Sequence, residues 1–351
     1  MKMESRDLST PVLVIDIGGT SFRSSLFEEG KLIGNPFREQ TPNFINHPNL
    51  QIVRLQNLLV NKIVDTVRKY KEDKLGLKQV GISFPAPITS KGVVTQACTV
   101  WGDKGKNFPL GEKLKKLLPK IKFTITNDIT AAAERYSILD KYKKVDYFAI
   151  ITVSSGIGGK IYDVKNQHVI LDKRSVGGEM GHVRLDFSPD APLCDCGGRG
   201  HLGAISSGRA VEKLTITCAK KYPEKYKLSL LHVYCPKLES ITNNYIVSAI
   251  KKNDAFSLNV LDKTTFFLAQ SISHISGNIG ADKYIIIGGF ALNCGEPYIK
   301  SLRRNLQKVD FYGRERSELK NIVELGVNDD NACLIGIGLL TQKEDANTIT
   351  Q

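Results

Sequence analysis

His182, Cys194, Cys196 and His201 bring an imidazole, two thiols and a second imidazole into one glycine-rich stretch. Its two halves read Gly177-Gly178-Glu179-Met180-Gly181-His182 and Cys194-Asp195-Cys196-Gly197-Gly198-Arg199-Gly200-His201. Thiolates and imidazoles are the ligands of tetrahedral zinc, and four protein ligands leave no open position, so the set predicts a structural metal. Scattered buried thiols are the plainer alternative, but core packing does not explain Cys-x-Cys in an irregular loop. A second chemistry is written in Asp16-Ile17-Gly18-Gly19-Thr20 and in Ser154-Ser155-Gly156-Ile157-Gly158-Gly159. Bare glycines let backbone N–H groups approach an anion closely, and Ser and Thr add hydroxyl donors. Each turn alone is also an ordinary glycine hairpin; two of them, each closing a strand, make a two-sided phosphate clamp. No G-x-x-x-x-G-K-[ST] pattern is present, so the chain is not a P-loop enzyme. Asn127-Asp128 follows the strand-like run Lys122–Thr126. An Asp placed there can take the proton of a substrate hydroxyl, as a kinase base does, and an Asn beside it can hold sugar hydroxyls. An Asx cap on the following helix accounts for the same pair.

The elements that position these residues follow from periodicity. Val12–Asp16 is a short apolar run that turns at Gly18-Gly19 and resumes at Ser21–Phe27, a hairpin pattern. Leu50–Lys71 repeats apolar residues at helical spacing. Lys78–Phe84 and Lys122–Thr126 read as strands, and a helix is expected from Ile129. Tyr147–Val153 reads as a strand with its hairpin partner at Lys160-Ile161-Tyr162. The stretch from Ser175 to Gly208 is irregular, Lys283–Ile287 is a strand before Gly288-Gly289, and Ala332–Leu340 is a last apolar helix. Mixed strands and helices with a hairpin opening each half predict an α/β protein.

In this order the motifs resemble the ROK family of sugar kinases and related repressors over nearly the whole chain. The resemblance implies a two-domain actin-like ATPase (ribonuclease H-like) fold with an active-site cleft between the domains. It implies a small domain over 1–127 joined by a C-terminal helix at about 332–345, and a larger domain over 128–331 carrying the zinc-binding loop 177–208. Asp16, Gly18, Gly19, Thr20, Ser155, Gly156, Gly158 and Gly159 then hold ATP and Mg2+, and Gly288 and Gly289 form the adenosine-side turn. Asp128 is the catalytic base. Asn127, Glu179 and His182 hold the substrate, and His182 joins Cys194, Cys196 and His201 on zinc. Asn253-Asp254-Ala255 resembles the family's Gly-Asp-x-x-Ala before a long helix.

Four positions depart from the family pattern. His201 stands where a cysteine is usual and Gly203 where a glutamate contacts the sugar ring. The segment Ala97-Cys98-Thr99-Val100-Trp101-Gly102 lacks the sugar-contacting Asn, and Phe290 replaces a third glycine. A site that hydrogen-bonds particular hydroxyls discriminates strongly. The expected reaction is therefore ATP-dependent phosphorylation of a sugar or sugar-like polyol, with an amino sugar, an N-acyl sugar or a cyclitol as alternatives to glucose. A non-catalytic sugar sensor is the rival class, opposed by the retention of Asp128 and both phosphate turns. A repressor is disfavoured because only fifteen residues precede Asp16.

Composition narrows the setting. The chain has 351 residues, 41% hydrophobic and 24% charged, with a net charge of 49 − 36 = +13. Its lysines are scattered rather than interleaved with aromatics, so no nucleic-acid partner is expected. No apolar run reaches the roughly 18 residues of a membrane span. Met1–Thr10 is polar, without a signal core, and the seven cysteines suggest no disulfide framework, so a cytoplasmic location is expected. The family resemblance further implies a homodimer.

Overall fold

The computed structural model describes residues 11–73, 76–102, 105–171, 176–327 and 329–349. Residues 1–10 of the expected first domain and Ser175, at the head of the irregular stretch, lie outside the described residues. The chain forms two compact units, one running to Lys143 with Leu171–Gly177 and the segment from Asp329, the other comprising Lys144–Ile170 and Gly178–Asn328.

The first unit is built on strands β1 (Val12–Ile17), β2 (Ser21–Glu28), β3 (Lys31–Gln40) and β4 (Gln79–Phe84). A small two-stranded sheet pairs β5 (Val94–Gln96) with β6 (Lys106–Phe108), and β7 (Lys122–Asn127) completes the main sheet in the order β3-β2-β1-β4-β7. β1 to β3 run antiparallel, whereas β1, β4 and β7 are parallel. β1 is buried along its whole length, because both faces of the sheet are covered. On one face lies the helix Ile52–Asp73, with Leu55, Leu59, Ile63 and Val67 in the core. Elsewhere the helix Ala332–Ile349 packs on Asp128–Ser137 so closely that a Cβ at Gly336 would overlap the carbonyl of Ala131.

The second unit uses the same sheet order. Strands β8 (Tyr147–Val153), β9 (Ile157–Asp163), β10 (His168–Val169), β11 (Lys283–Ile287) and β12 (Val323–Leu325) lie in the order β10-β9-β8-β11-β12. β8 and β9 are an antiparallel hairpin, and β8, β11 and β12 are parallel. The helix Ala255–Ile279 crosses the core of this unit, capped by Asp254, whose carboxylate accepts from the Ser257 amide at 2.9 Å. Asn253 sits at φ 59°, a left-handed conformation that Asn tolerates, which explains how it replaces the family's glycine.

Candidate active site and metal centre

In the first unit, parallel pairing sets the carboxyl ends of β1, β4 and β7 in line. Asp16 pairs with Ser83, Ser83 with Thr126 and Phe84 with Asn127. In open α/β sheets the ligand crevice lies outside such ends. Asp16 is buried there, 5% exposed. It accepts from Arg23 Nε at 3.1 Å, Arg23 Nη2 at 2.5 Å and the Ser83 hydroxyl at 2.8 Å. Burial alone would lower the pKa of Arg23; the charge of Asp16 and the hydrogen bond to it raise it instead. Gly18, Gly19 and Thr20 form the β1–β2 turn, closed by Gly18 N–H on the Ser21 carbonyl at 2.8 Å. The turn is held from outside by Asn43, whose amide donates to Gly19 O at 2.7 Å, and by Thr99, whose carbonyl a Cβ at Gly19 would meet at 3.3 Å. Thr99, from the segment that lacks the expected Asn, therefore lies directly against the β1–β2 turn.

Asn127 caps the helix Asp128–Ser137: its Oδ1 accepts from Ile129 N–H at 3.0 Å and its amide donates to Ala86 O at 3.2 Å. The Asx-cap alternative thus describes its local role. Asp128 lies in the first turn, where its Oδ1 accepts from the Ile129 amide at 2.9 Å. Cys333 donates to Asp128 O at 3.5 Å. Burial, together with the charges of Asp16 and Asp128, holds its thiol well above the ordinary range, so it remains neutral.

In the second unit, Ser154–Gly156 link β8 to β9, with Ser154 N–H donating to Gly156 O at 2.9 Å. Gly159 lies against the loop that follows: its N–H donates to Gly178 O at 2.8 Å, and a Cβ on Gly178, at φ +87°, would overlap the Gly159 carbonyl. Gly288, at φ +96°, passes so close to Thr152 and Val153 that a side chain is excluded. Gly289 opens the helix Gly289–Cys294, and Phe290, in place of a third glycine, is buried against Tyr298. A cavity of about 570 Å³ lies here, lined by Ser154, Ser155, Gly289, Phe290, Glu212 and Asn243 among others. It is a size that suits a small organic ligand or cofactor. Glu212 accepts from the Asn243 amide at 2.6 Å and so fixes one wall.

The four expected zinc ligands converge in the same unit, their ligand atoms all within 4.8 Å of one another. Cys194 Sγ lies 3.7 Å from His182 Nδ1, and Cys196 Sγ 3.2 Å from His201 Nδ1. Burial lowers the pKa of His201, helped by the His182 and Arg184 charges, which favours the neutral imidazole a metal requires. Donor type and convergence therefore fit zinc, with His201 in the place of the family's cysteine. Glycines make the loop possible: a Cβ on Gly200, at φ +68°, would overlap the Asp186 carbonyl. Glu179 precedes the 3-10 turn Met180–His182. Burial raises its pKa, against the opposing charges of Lys160 and His182. A Cβ on Gly203 would meet the Gly181 carbonyl at 3.1 Å, so this position abuts backbone.

Asp16, Gly18, Gly19, Thr20, Asn127 and Asp128 are thus assembled by the first unit. The second holds Ser155, Gly156, Gly158, Gly159, Gly288, Gly289, Glu179 and the metal set. Arg23, Asn43 and Lys160 were not anticipated. Arg23 follows the Asp-x-Gly-Gly-Thr run on the adjacent strand, and hairpin register places it opposite Asp16, a signal the sequence carried. Lys160 is 1% exposed, and a lone Lys within a strand gives no sign of such burial.

Two sheets of one order, each with a glycine turn after its first strand, form the actin-like ATPase fold. The ROK family matches residues 12–344, and the chain belongs to it. A C(7)-cyclitol 7-kinase of Streptomyces hygroscopicus subsp. limoneus is 31% identical over 333 residues, covering 94% of this chain and 93% of the relative. A glucokinase of Thermotoga maritima is 25% identical over 298 residues, covering 85% and 86%. The crystal structure of a ROK family glucokinase from Streptomyces griseus, in complex with glucose and AMPPNP, matches with a TM-score of 0.73 at 21% identity, covering 95% of this chain and 100% of that one.

Proposed function

We propose that the protein is a carbohydrate kinase that transfers the terminal phosphoryl group of Mg-ATP to a hydroxyl of a cyclic polyol, with a C7 cyclitol preferred to glucose. The placement of Asp128 carries the reaction. It follows the carboxyl end of β7, in line with the Asp16 turn at the end of β1. In the reaction Asp128 accepts the proton of the acceptor hydroxyl, whose oxygen forms the new bond to phosphorus as the bond to ADP breaks. The turns at Gly18–Thr20 and Ser155–Gly159 hold the phosphates through backbone N–H groups and hydroxyls. Asp16 Oδ1 accepts from Ser83 and keeps lone-pair capacity for water on Mg2+, an ion that retains several waters when bound. When bound there, Mg2+ would supply positive charge beside the transferred group. His182, Cys194, Cys196 and His201 would hold a structural zinc that fixes the loop presenting Glu179. Asn127, Glu179 and His182 form the acceptor side. A cytoplasmic homodimer belongs to the same reading.

The acceptor preference rests on Gly203, which supplies no carboxylate where the family's sugar contact lies, and on the 31% identity to a C(7)-cyclitol 7-kinase. A hydroxyl left without its partner costs about 1–3 kcal/mol. The reaction is tested with Asp128→Asn, which keeps an acceptor for the Ile129 amide. Turnover should fall by roughly two to four decades with the thermal transition retained. A folded variant of near wild-type turnover would overturn the assignment.

A further inference from the structure

Arg209 stands on the first turn of the helix Gly208–Lys221, beside both the phosphate turn and the metal loop. Its Nε donates to Ser155 O at 2.8 Å, and its Nη2 pairs with Asp195 Oδ2 at 2.8 Å. Asp195 is the middle residue of Cys194-Asp195-Cys196, between two expected zinc ligands. Arg209 also lines the cavity formed with Ser154, Ser155 and Gly289. One planar guanidinium thus joins the metal loop to the backbone of the turn assigned to nucleotide phosphates.

We propose that Arg209 is a positioning residue that couples zinc occupancy to nucleotide binding. The inference rests on the nucleotide assignment above. Arg209 and Asp195 side chains are both 57% exposed, and such a pair contributes little stability by itself. Its effect is geometric. The guanidinium presents its donors in a rigid fork, so fixing one edge on Asp195 fixes where the other edge holds Ser155 O. With zinc on Cys194 and Cys196, the Asp195 carboxylate has a defined position. Without it, the knuckle keeps chiefly local backbone bonds, such as Cys194 N–H to Gly198 O at 2.7 Å. Nη1 has no partner among the described residues, and Arg209 is the residue that brings the guanidinium charge to the cavity lining. A polyanion bound at the turn gains from that charge only while the fork is aimed.

Coupling between two binding sites is reciprocal, so nucleotide must tighten zinc by the factor that zinc tightens nucleotide. The test measures zinc affinity by chelator competition, with and without AMPPNP, while calorimetry follows AMPPNP binding. In the wild-type protein AMPPNP should tighten zinc by roughly fivefold or more, at the low end of known couplings. In Arg209→Met and in Asp195→Asn the factor should fall below about twofold, with zinc still bound at one per chain. AMPPNP that binds without changing zinc affinity overturns the coupling alone, as does an undiminished factor in both variants. A wild-type protein that binds no AMPPNP overturns the coupling together with the nucleotide assignment.

Discussion

Asp16 is a buried carboxylate that accepts three hydrogen bonds, two from Arg23 and one from Ser83. The Arg23 guanidinium also reaches Asp330, both at its carbonyl and at its carboxylate, 3.2 Å away. It therefore ties the end of β1 to the segment just before the helix Ala332–Ile349. Removing one partner of a buried pair leaves an uncompensated charge, so Arg23→Met should destabilise the protein by about 3 kcal/mol or more. Chemical denaturation checks this; a loss under about 0.5 kcal/mol, the size of an ordinary surface change, would show that Asp16 finds another partner. At the metal loop, protein purified without added zinc should carry one zinc per chain. Cys194→Ser combined with Cys196→Ser should lose it and melt earlier, because bound metal is coupled to local folding. Retention of both metal and melting temperature in that variant would remove the site. That these four side chains would converge was legible because Cys-x-Cys among glycines has little other use. Arg209 was not, since its meaning depends on a bond to Ser155 O that no spacing announces.

Elements with strong periodicity were the easiest to read. The expected helix over Leu50–Lys71 is the helix Ile52–Asp73, and the strand Lys122–Thr126 extends one residue to Asn127. The hairpin partner expected at Lys160–Tyr162 is the longer β9, and the apolar helix from Ala332 runs on to Ile349. The irregular stretch contains a 3-10 turn at Met180–His182 and the short helix Leu202–Ser206. β3 escaped notice because it is an edge strand, mostly exposed and polar, with no buried face to impose alternation. β10 and β12, two and three residues long, are too short to show a period. Gly336 marks a contact between helices, and Gly336→Ala should cost about 3 kcal/mol or more, since the new methyl group meets rigid backbone at Ala131. A melting temperature equal to wild type would show that the two helices can separate freely. A second contact between helices joins Ala255–Ile279 to Glu296–Leu306 through Asp262, which accepts from Arg304 Nη2 at 2.6 Å and from Asn305 at 3.0 Å. Burial tends to raise the pKa of Asp262, but the Arg304 and Lys308 charges and hydrogen bonds lower it overall. Its ionised form is favoured by folding, so its contribution is present at neutral pH and lost as pH falls through the depressed folded value. Asp262→Asn should therefore melt earlier than wild type at neutral pH, and the gap should close on acidification below about pH 4. Thermal melts across that range decide it; a gap independent of pH would exclude the charge as its source.

On the scale of the whole molecule, one design appears twice. Each unit opens its sheet with an antiparallel hairpin, carries a glycine turn after the first strand, and adds parallel strands on the other side. The hairpins that open each half were visible in the sequence; the common sheet order was not, because it depends on pairing between strands far apart in the chain. Among the described residues no helix is long and apolar enough to cross a membrane. On the proposed reading the choice of acceptor is the least local property, since it depends on which hydroxyls find partners where Gly203 supplies no side chain. The measurement is kcat/KM with ATP for a C7 cyclitol, glucose, mannose, N-acetylmannosamine and N-acetylglucosamine under one condition, with the phosphorylated product identified by mass spectrometry. A singly phosphorylated product is expected, with the cyclitol leading and glucose behind by roughly a decade or more, the effect of one missing hydrogen-bond partner. Glucose at the head of that panel, or no ATP-dependent phosphorylation of any member, would contradict it.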